Sequence, residues 1–242
     1  MKIKLLGKHL DDIRPLLNSC GMTECSCDSE IELIVTYGGD GALLGAQRDY
    51  PAIPKLPLRD TVTAPTCPEH PAAMVIEKFL NGQLTLHRAP VLEAVCGDER
   101  ICGINDLVIR SRQYVSALRY RVTIDGELYA GEIVGDGVCF AGVHGSTAYY
   151  RSITRGIFRV GVGLAFCNST EVVDHLVLPE TSRINVEILR GPGVVTADND
   201  PRQIAVEVGE TVTLRQTEQY AEIWDLSGFM CPECRALRHC RK

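Results

Sequence analysis

An aspartate enclosed by glycines ends an apolar run in the sequence ELIVTYGGDGALLG, residues 32–45. Residues 33–35 predict a buried strand, and residues 42–44 predict the start of a helix. A glycine turn between a strand and a helix directs backbone N–H groups at an anion such as phosphate. Asp40, inside this turn, is placed to take a proton from a hydroxyl group or to meet magnesium. An aspartate in a glycine turn between a strand and a helix therefore predicts phosphoryl transfer. The alternative is a plain β-turn in which Asp40 caps the helix.

Three later motifs also combine glycine with groups that bind polar ligands: IND at 104–106, GDG at 135–137 and GSTAYYRS at 145–152. Each has a simpler interpretation when taken alone. IND could be turn residues before a strand, GDG a hairpin turn, and GSTAYY a capped helix start with two packed tyrosines. Their common order along one chain favours a single binding site over three unrelated turns.

Strand and helix patterns alternate in residues 1–95, which must position the aspartate turn. KIKLLG and IELIVTY predict strands, whereas HLDDIRPLLNSC and PAAMVIEKFLNG predict helices, the second ending at Gly82. The proline-rich segment YPAIPKLPLRDTVTAPTCPEHP predicts an irregular connection. From about residue 96 the pattern changes to short alternating strands joined by turns such as IDGE and VGET. We therefore predict an α/β domain at 1–95, a β-rich domain at 96–225 and a Cys-rich basic tail at 226–242.

Together the motifs GGDG, IND, GDG and GSTAYYRS resemble the NAD kinase family in order and approximate spacing. The segments HLVLPETSRINVEIL and VVTADNDPRQIAVEVGETVTL also look like the closing strands of that family. Phosphofructokinases and diacylglycerol kinases share GGDG, so GSTAY, about a hundred residues later, makes the resemblance specific. It covers residues 31–225 and implies a Rossmann-like α/β domain, then an all-β, sandwich-like domain, in a homodimer or homotetramer.

The activity implied by the resemblance is that of an ATP-dependent NAD kinase, which phosphorylates the adenosine 2′-hydroxyl of NAD to give NADP. The donor would be ATP with Mg²⁺, or polyphosphate, and the acceptor NAD or NADH. Asp40 matches the catalytic base of the family, and Gly38, Gly39 and Gly41 match its phosphate loop. Asn105 and Asp106 match an Asn-Glu pair that holds the ribose and adenosine end of NAD. Further dinucleotide contacts are matched by Asp136, Thr147, Ala148, Tyr149 and Ser152.

Several residues depart from the family pattern. His144 stands where a small hydroxyl residue is expected, and we predict that it faces the dinucleotide; a neutral turn or core histidine is the alternative. IPKLPLRDTVTAP replaces the usual Gly-Asn-Gly-Leu-Gly-Phe stretch. These changes leave two rivals, a non-catalytic NAD- or NADP-binding relative and a superfamily kinase acting on a lipid or sugar hydroxyl. Asp40 favours an enzyme, because a base beside phosphate oxygens would only repel them in a pure binder.

The composition is that of a globular protein, with 45% hydrophobic and 23% charged residues. A net charge of −6 gives no basic surface for nucleic acid, so we expect no nucleic-acid partner. No apolar run approaches the ~20 residues of a membrane helix, and the first residues lack the pattern of a signal peptide. We therefore expect a cytoplasmic protein without a membrane partner.

Eleven cysteines are many for that compartment, and their odd number favours free thiols, a metal site or both. Cys231 and Cys234 have the C-x-x-C spacing of a zinc knuckle. We predict His239 or Cys240 as a third ligand and one of Cys20, Cys25 and Cys27 as the fourth. A redox thiol pair and a tail that binds no metal are the alternatives.

Overall fold

The computed structural model describes residues 1–62, 65–113 and 115–240, with the backbone alone described for 235 and 238–240. The chain packs as two compact units. Met1–Ala89 and the segment from Ala221 onward form the first unit, and Pro90–Tyr220 forms the second. No helix among the described residues has both the length and the apolar character needed to cross a membrane.

Strands alternate with helices near the amino terminus and dominate the middle of the chain. The strands are β1 (Lys2–Gly7), β2 (Thr23–Glu24), β3 (Leu33–Tyr37), β4 (Lys55–Leu58), β5 (Leu86–Cys96), β6 (Glu99–Gly103), β7 (Asp106–Ser111), β8 (Leu118–Ile124), β9 (Glu127–Gly135), β10 (Gly137–Ala141), β11 (Val162–Cys167), β12 (His175–Leu178), β13 (Ile184–Arg190), β14 (Gly193–Ala197), β15 (Ile204–Val206) and β16 (Thr211–Trp224). The α-helices are α1 (Leu10–Ser19), α2 (Asp40–Asp49), α3 (Ala72–Leu80), α4 (Tyr149–Thr154), α5 (Leu226–Phe229) and α6 (Pro232–Cys240).

The first unit is built on parallel strands in the order β2-β1-β3-β4, and the end of β16 adds to β4 where Ile223 lies opposite Lys55. Ile3, Val35 and Leu56 from these strands pack with Leu17 of α1 and Ile76 of α3. The strands and helices predicted around residues 2–7, 9–20, 31–37 and 71–82 are confirmed. The apolar spacing of each segment was sufficient to identify it, because one face of each element is buried.

The prediction of an irregular connection after α2 was wrong in part, because that segment contains β4. Pro57 lies opposite Thr36 of β3 in the parallel pairing. Proline removes one backbone N–H from a ladder, so it usually argues against a strand. Here the four residues of β4 are all buried, and the apolar contacts of Leu56 and Leu58 with the core compensate for the missing donor.

The second unit is an antiparallel β-sandwich. One sheet has the strand order β12-β11-β10-β7-β14-β15, and in the other β13 pairs with both β16 and β8, which in turn pairs with β9. Alternate side chains of the two sheets form one buried core, which includes Leu107, Tyr120, Phe140, Leu164 and Ile188. The predicted sandwich-like fold of this part of the chain is confirmed, with the short helix α4 inserted between β10 and β11.

A lysine is buried at the start of β4. The Lys55 ammonium group donates hydrogen bonds to the side-chain oxygen of Gln47 and, at 3.3 Å, to the backbone oxygen of Pro51. Burial lowers the pKa of Lys55 from 10.5 to about 8, and the nearby Glu222 carboxylate opposes this shift. The folded protein therefore releases the Lys55 proton at a lower pH than the unfolded chain does.

The Lys55→Met substitution tests this assignment. Between about pH 8 and 10.5 the unfolded wild type binds the Lys55 proton more tightly than the folded state, so the Lys55 contribution to stability rises with pH. Relative to the variant, the wild type should gain up to about 3 kcal/mol in free energy of unfolding from pH 7 to pH 10. Urea denaturation at pH 7 and pH 10 measures this free energy of unfolding, and Lys8→Met, at an exposed lysine, is the control. An equal change for the wild type and Lys55→Met would contradict the assignment.

Candidate functional site

The GGDG turn joins the end of β3 to the beginning of α2. Gly38 has φ +154°, and Gly39 is extended and precedes Asp40, the first residue of the helix. A Cβ atom added at Gly39 would meet nothing within 4 Å, so the backbone is open at this point. Leu43 and Leu44 are buried and fix the helix in the first unit. An open backbone before the first turn of a ten-residue helix fits a phosphate group, because helix N–H groups point toward it.

A buried arginine accompanies Asp40. Arg59 follows β4, and one of its guanidinium nitrogens (Nη2) lies 3.5 Å from the Asp40 carboxylate oxygen Oδ1. The same guanidinium donates to the backbone oxygen of Phe229 at 2.5 and 3.2 Å and lies 3.9 Å from the centre of the Phe229 ring. The Asp40 side chain is 48% exposed, whereas that of Arg59 is 3% exposed. One carboxylate oxygen thus faces a fixed cation while the side chain remains open to solvent.

This arrangement places a half-exposed carboxylate at the start of α2 and restricts its orientation. Arg59 was missed as a site residue by the sequence analysis, because it lies in the segment that departs from the family pattern. A charged pair, Arg59 and Asp60, directly after the apolar residues of β4 was the available signal. Both side chains are buried, which is unusual for charged residues without a structural or functional partner.

In the second unit the IND motif forms a turn around a buried carboxylate. Asp198 accepts three backbone N–H groups, from Ile104 at 2.8 Å, Asn105 at 2.9 Å and Asp106 at 3.1 Å. A Cβ atom at Gly103 would lie 2.7 Å from the Asp198 carboxylate, so glycine permits this approach. Asp198 therefore fixes the turn that presents Asn105 and Asp106. Its role was not predicted, although it lies in the ADND segment that resembles the family.

The GSTAYYRS motif packs directly on this turn. A Cβ atom at Gly145 would lie 1.8 Å from the Asn105 backbone oxygen, and that oxygen accepts the Gly142 N–H at 3.2 Å. The Asn105 side-chain oxygen is buried and has no hydrogen-bond partner among the described residues. A buried amide oxygen of this kind fits a ligand that carries a hydrogen-bond donor. The structure thus brings together two motifs that are about forty residues apart in sequence.

Asp106 carries a strongly shifted ionisation. Burial, and then repulsion from the Asp198 carboxylate, raise the pKa of Asp106 from 3.8 to about 7, although the Tyr149 backbone N–H and the Arg110 charge act in the opposite direction. Such a carboxyl group changes charge near neutral pH. Perturbed carboxyl groups are frequent at functional sites, although buried ion clusters also produce them.

The remaining predicted dinucleotide contacts lie around α4 and the turn before β10. Asp136 and Tyr149 line one cleft with Arg110 and Cys167, and Asp136 accepts a hydrogen bond of 2.8 Å from the Asn168 side-chain amide. The 3₁₀ turn Gly145–Thr147 follows His144 directly, Ala148 is exposed after it, and the Ser152 hydroxyl donates to the Tyr149 backbone oxygen at 2.7 Å. These residues share one part of the second unit.

The predicted metal ligands Cys231 and Cys234 lie beside Cys67 and His70, with all four ligand atoms within 4.8 Å of one another. Cys67 and His70 therefore occupy the places that we expected for two other ligands. The side chains of His239 and Cys240 lie outside the described residues, and Cys20, Cys25 and Cys27 are not part of the cluster. The C-x-x-H spacing of TCPEH repeats that of CPEC, and this signal was available in the sequence.

Sequence comparison relates the chain to curated NAD kinases, although no family model matches it. It is 28% identical to the NAD kinase of Chlorobium limicola over 197 residues, which are 77% of this chain and 68% of the relative. It is 25% identical to the NAD kinase of Methanothermobacter thermautotrophicus over 207 residues, which are 82% of this chain and 73% of the relative. The NAD kinase of Brucella melitensis is 33% identical over 125 residues, 50% of this chain and 48% of the relative.

Two solved structures have the same fold. An NAD kinase from Archaeoglobus fulgidus in complex with ATP superimposes with a TM-score of 0.78 at 18% identity, covering 98% of this chain and 99% of its own. A yeast NADH kinase complexed with NADH superimposes with a TM-score of 0.75 at 14% identity, and the match covers 96% of this chain and 87% of the yeast chain. The chain thus has the fold of these NAD kinases and is similar in sequence to members of that family.

Proposed function

We propose that this protein is an NAD kinase, which transfers the γ-phosphoryl group of ATP to the adenosine 2′-hydroxyl of NAD. The observation on which the proposal chiefly rests is the Asp40 carboxylate, held half-exposed at the first residue of α2 beside the buried Arg59. A hydroxyl acceptor needs a positioned base, and the donor phosphates need N–H groups close by. The NAD kinase relatives, one of them solved with ATP, support the same conclusion.

On the donor side, Gly38, Gly39 and Gly41 form the loop around the phosphates. The open backbone at Gly39 lets phosphate oxygens approach the first turn of α2. Mg²⁺, when bound, neutralises charge on the transferred phosphates, and it would be held mainly by the phosphates with Asp40 as the nearby carboxylate. Asp40 accepts the proton of the acceptor hydroxyl, and Arg59 keeps its carboxylate in place.

On the acceptor side, the Asn105 amide and the Asp106 carboxylate bind the ribose and adenosine end of NAD. The unpartnered Asn105 oxygen supports this assignment, because a bound hydroxyl or amine would supply the donor that it lacks. Asp136, His144, Thr147, Ala148, Tyr149 and Ser152 complete the dinucleotide contacts. We further propose that the protein forms a homodimer or homotetramer and works in the cytoplasm. The chain comprises an α/β domain at 1–95, a β-rich domain at 96–225 and a tail at 226–242, and the described part of the tail belongs to the first unit.

The Asp40→Asn substitution tests the catalytic base. Asparagine preserves the size of the side chain but cannot accept the proton, so turnover should fall by roughly 10²–10⁴-fold while ATP and NAD affinities change little. NADP formation followed with a coupled dehydrogenase measures the rate, and circular dichroism checks the fold. Asp49→Asn, at the other end of α2, is the matched control. Full activity in Asp40→Asn would rule out Asp40 as the base.

The pH dependence of NAD binding tests Asp106. As an acceptor for an NAD hydroxyl or amine it binds more strongly when ionised, and its pKa is raised to about 7. NAD affinity should therefore rise by up to about tenfold from pH 6 to pH 8 as the carboxyl group loses its proton. Asp106→Asn should abolish this rise. Asp198→Asn should move its midpoint to lower pH, because it removes the repelling charge, and an unmoved midpoint would contradict the coupling of the two carboxylates.

The Asn105→Ala substitution separates acceptor binding from donor binding. Loss of the amide should weaken NAD binding by about 10-fold, the cost of roughly one buried hydrogen bond, and leave ATP binding nearly unchanged. Isothermal titration of each nucleotide separately measures the two affinities. Asn18→Ala, at an exposed position of α1, serves as control. Equal loss of both nucleotides would mean that Asn105 only supports the fold.

A further inference from the structure

Four side chains from two distant segments meet in the first unit. The Cys67 sulfur lies 3.0 Å from His70 Nδ1, 3.6 Å from the Cys234 sulfur and 4.0 Å from the Cys231 sulfur. The Cys234 sulfur lies 3.9 Å from His70 Nδ1. Cys67 and His70 belong to the connection between β4 and α3, whereas Cys231 directly precedes α6 and Cys234 lies in its first turn. The cluster thus joins residues more than 160 positions apart.

These separations match a tetrahedral zinc site. With Zn–S bonds near 2.3 Å and Zn–N bonds near 2.1 Å, tetrahedral angles place two sulfurs about 3.8 Å apart and a sulfur and a nitrogen about 3.6 Å apart. The observed sulfur–sulfur distances of 3.6 and 4.0 Å lie on either side of the first value. The sulfur–nitrogen distances of 3.0 and 3.9 Å lie on either side of the second.

The surroundings of the cluster are those of a structural metal site. All three cysteines are buried, and His70 is half-buried. The Cys67 backbone N–H donates to the Cys234 sulfur at 3.2 Å and fixes its position. Three thiolates and one imidazole close a four-coordinate shell and leave no position open for substrate, as in structural rather than catalytic zinc sites.

We propose that Cys67, His70, Cys231 and Cys234 bind one structural Zn²⁺. The ion ties the connection after β4 to the segment that begins α6. That segment also contains Phe229, whose backbone oxygen and ring contact Arg59. Zinc therefore stabilises the part of the first unit that surrounds Arg59, whatever reaction the protein catalyses.

A disulfide is the main competing use of these thiols. Each cysteine of the cluster is free in the structure, and Cys67 lies within 4.0 Å of both other sulfurs rather than pairing with one. A disulfide uses only two of the three sulfurs, whereas a metal ion uses all three together with His70. The convergence of all four groups within 4.8 Å therefore favours a metal over a disulfide.

Metal analysis of the full-length protein tests the proposal. Protein purified without chelator should contain about one zinc per chain, and Cys67→Ala and His70→Ala should each contain less than about a tenth of that amount. Cys27→Ala, at an exposed cysteine outside the cluster, should retain the wild-type content. Refolding with Co²⁺ in place of zinc should give the visible bands of a tetrahedral ion and the charge-transfer bands of thiolate ligands.

Thermal unfolding provides a second readout that does not depend on activity. A strong chelator should lower the unfolding temperature of the wild type and of Cys27→Ala, because it removes a ligand that binds the folded state. It should leave Cys67→Ala unchanged. Wild type that binds neither zinc nor cobalt with its thiols reduced would overturn the proposal. So would a Cys67–Cys234 or Cys231–Cys234 disulfide in the protein as purified, or full zinc content in His70→Ala.

Discussion

The Arg59 guanidinium is buried in the first unit, and a permanently charged group in that position requires compensation from its surroundings. The Phe229 backbone oxygen and ring supply one part, and the Asp40 carboxylate supplies another. Asp40 begins α2, Arg59 follows β4, and Phe229 lies in the carboxy-terminal segment. The position of the proposed base therefore depends on a contact with a segment that no catalytic motif includes.

A second buried charge organises the sandwich in a comparable way. Asp198 is held by three backbone N–H groups of the turn that contains Asn105 and Asp106, and burial together with the Asp198 charge raises the pKa of Asp106. The same carboxylate thus shapes the turn and adds, after burial, to the raised pKa of Asp106. In each unit, a residue outside the four motifs holds a motif residue in place: Arg59 contacts Asp40, and Asp198 holds the turn of Asn105 and Asp106.

The sequence was sufficient for the parts of the fold in which local pattern and burial agree. The spacing in residues 2–7 and 33–37 identifies β1 and β3, and the motif order identifies the sandwich. The sequence was insufficient for β4, because Pro57 lacks a backbone N–H for the ladder and so argues against a strand. Burial of the neighbouring residues stabilises the strand nevertheless. Periodicity cannot reveal contacts between distant segments. Three such contacts are those of Arg59 with Phe229, of Asp198 with the turn at Asn105, and of Cys67 with Cys234.

The division of the chain has a consequence for the order in which it is made. The second unit is continuous, whereas the first consists of Met1–Ala89 and the segment from Ala221 onward. A ribosome therefore completes the whole sandwich before it adds Phe229, which follows Arg59 by 170 positions. Domains that are continuous in sequence can fold during synthesis, but a unit closed by its final segment must wait. The contact that Arg59 makes with Phe229 can therefore form only after every residue of the second unit has been synthesised.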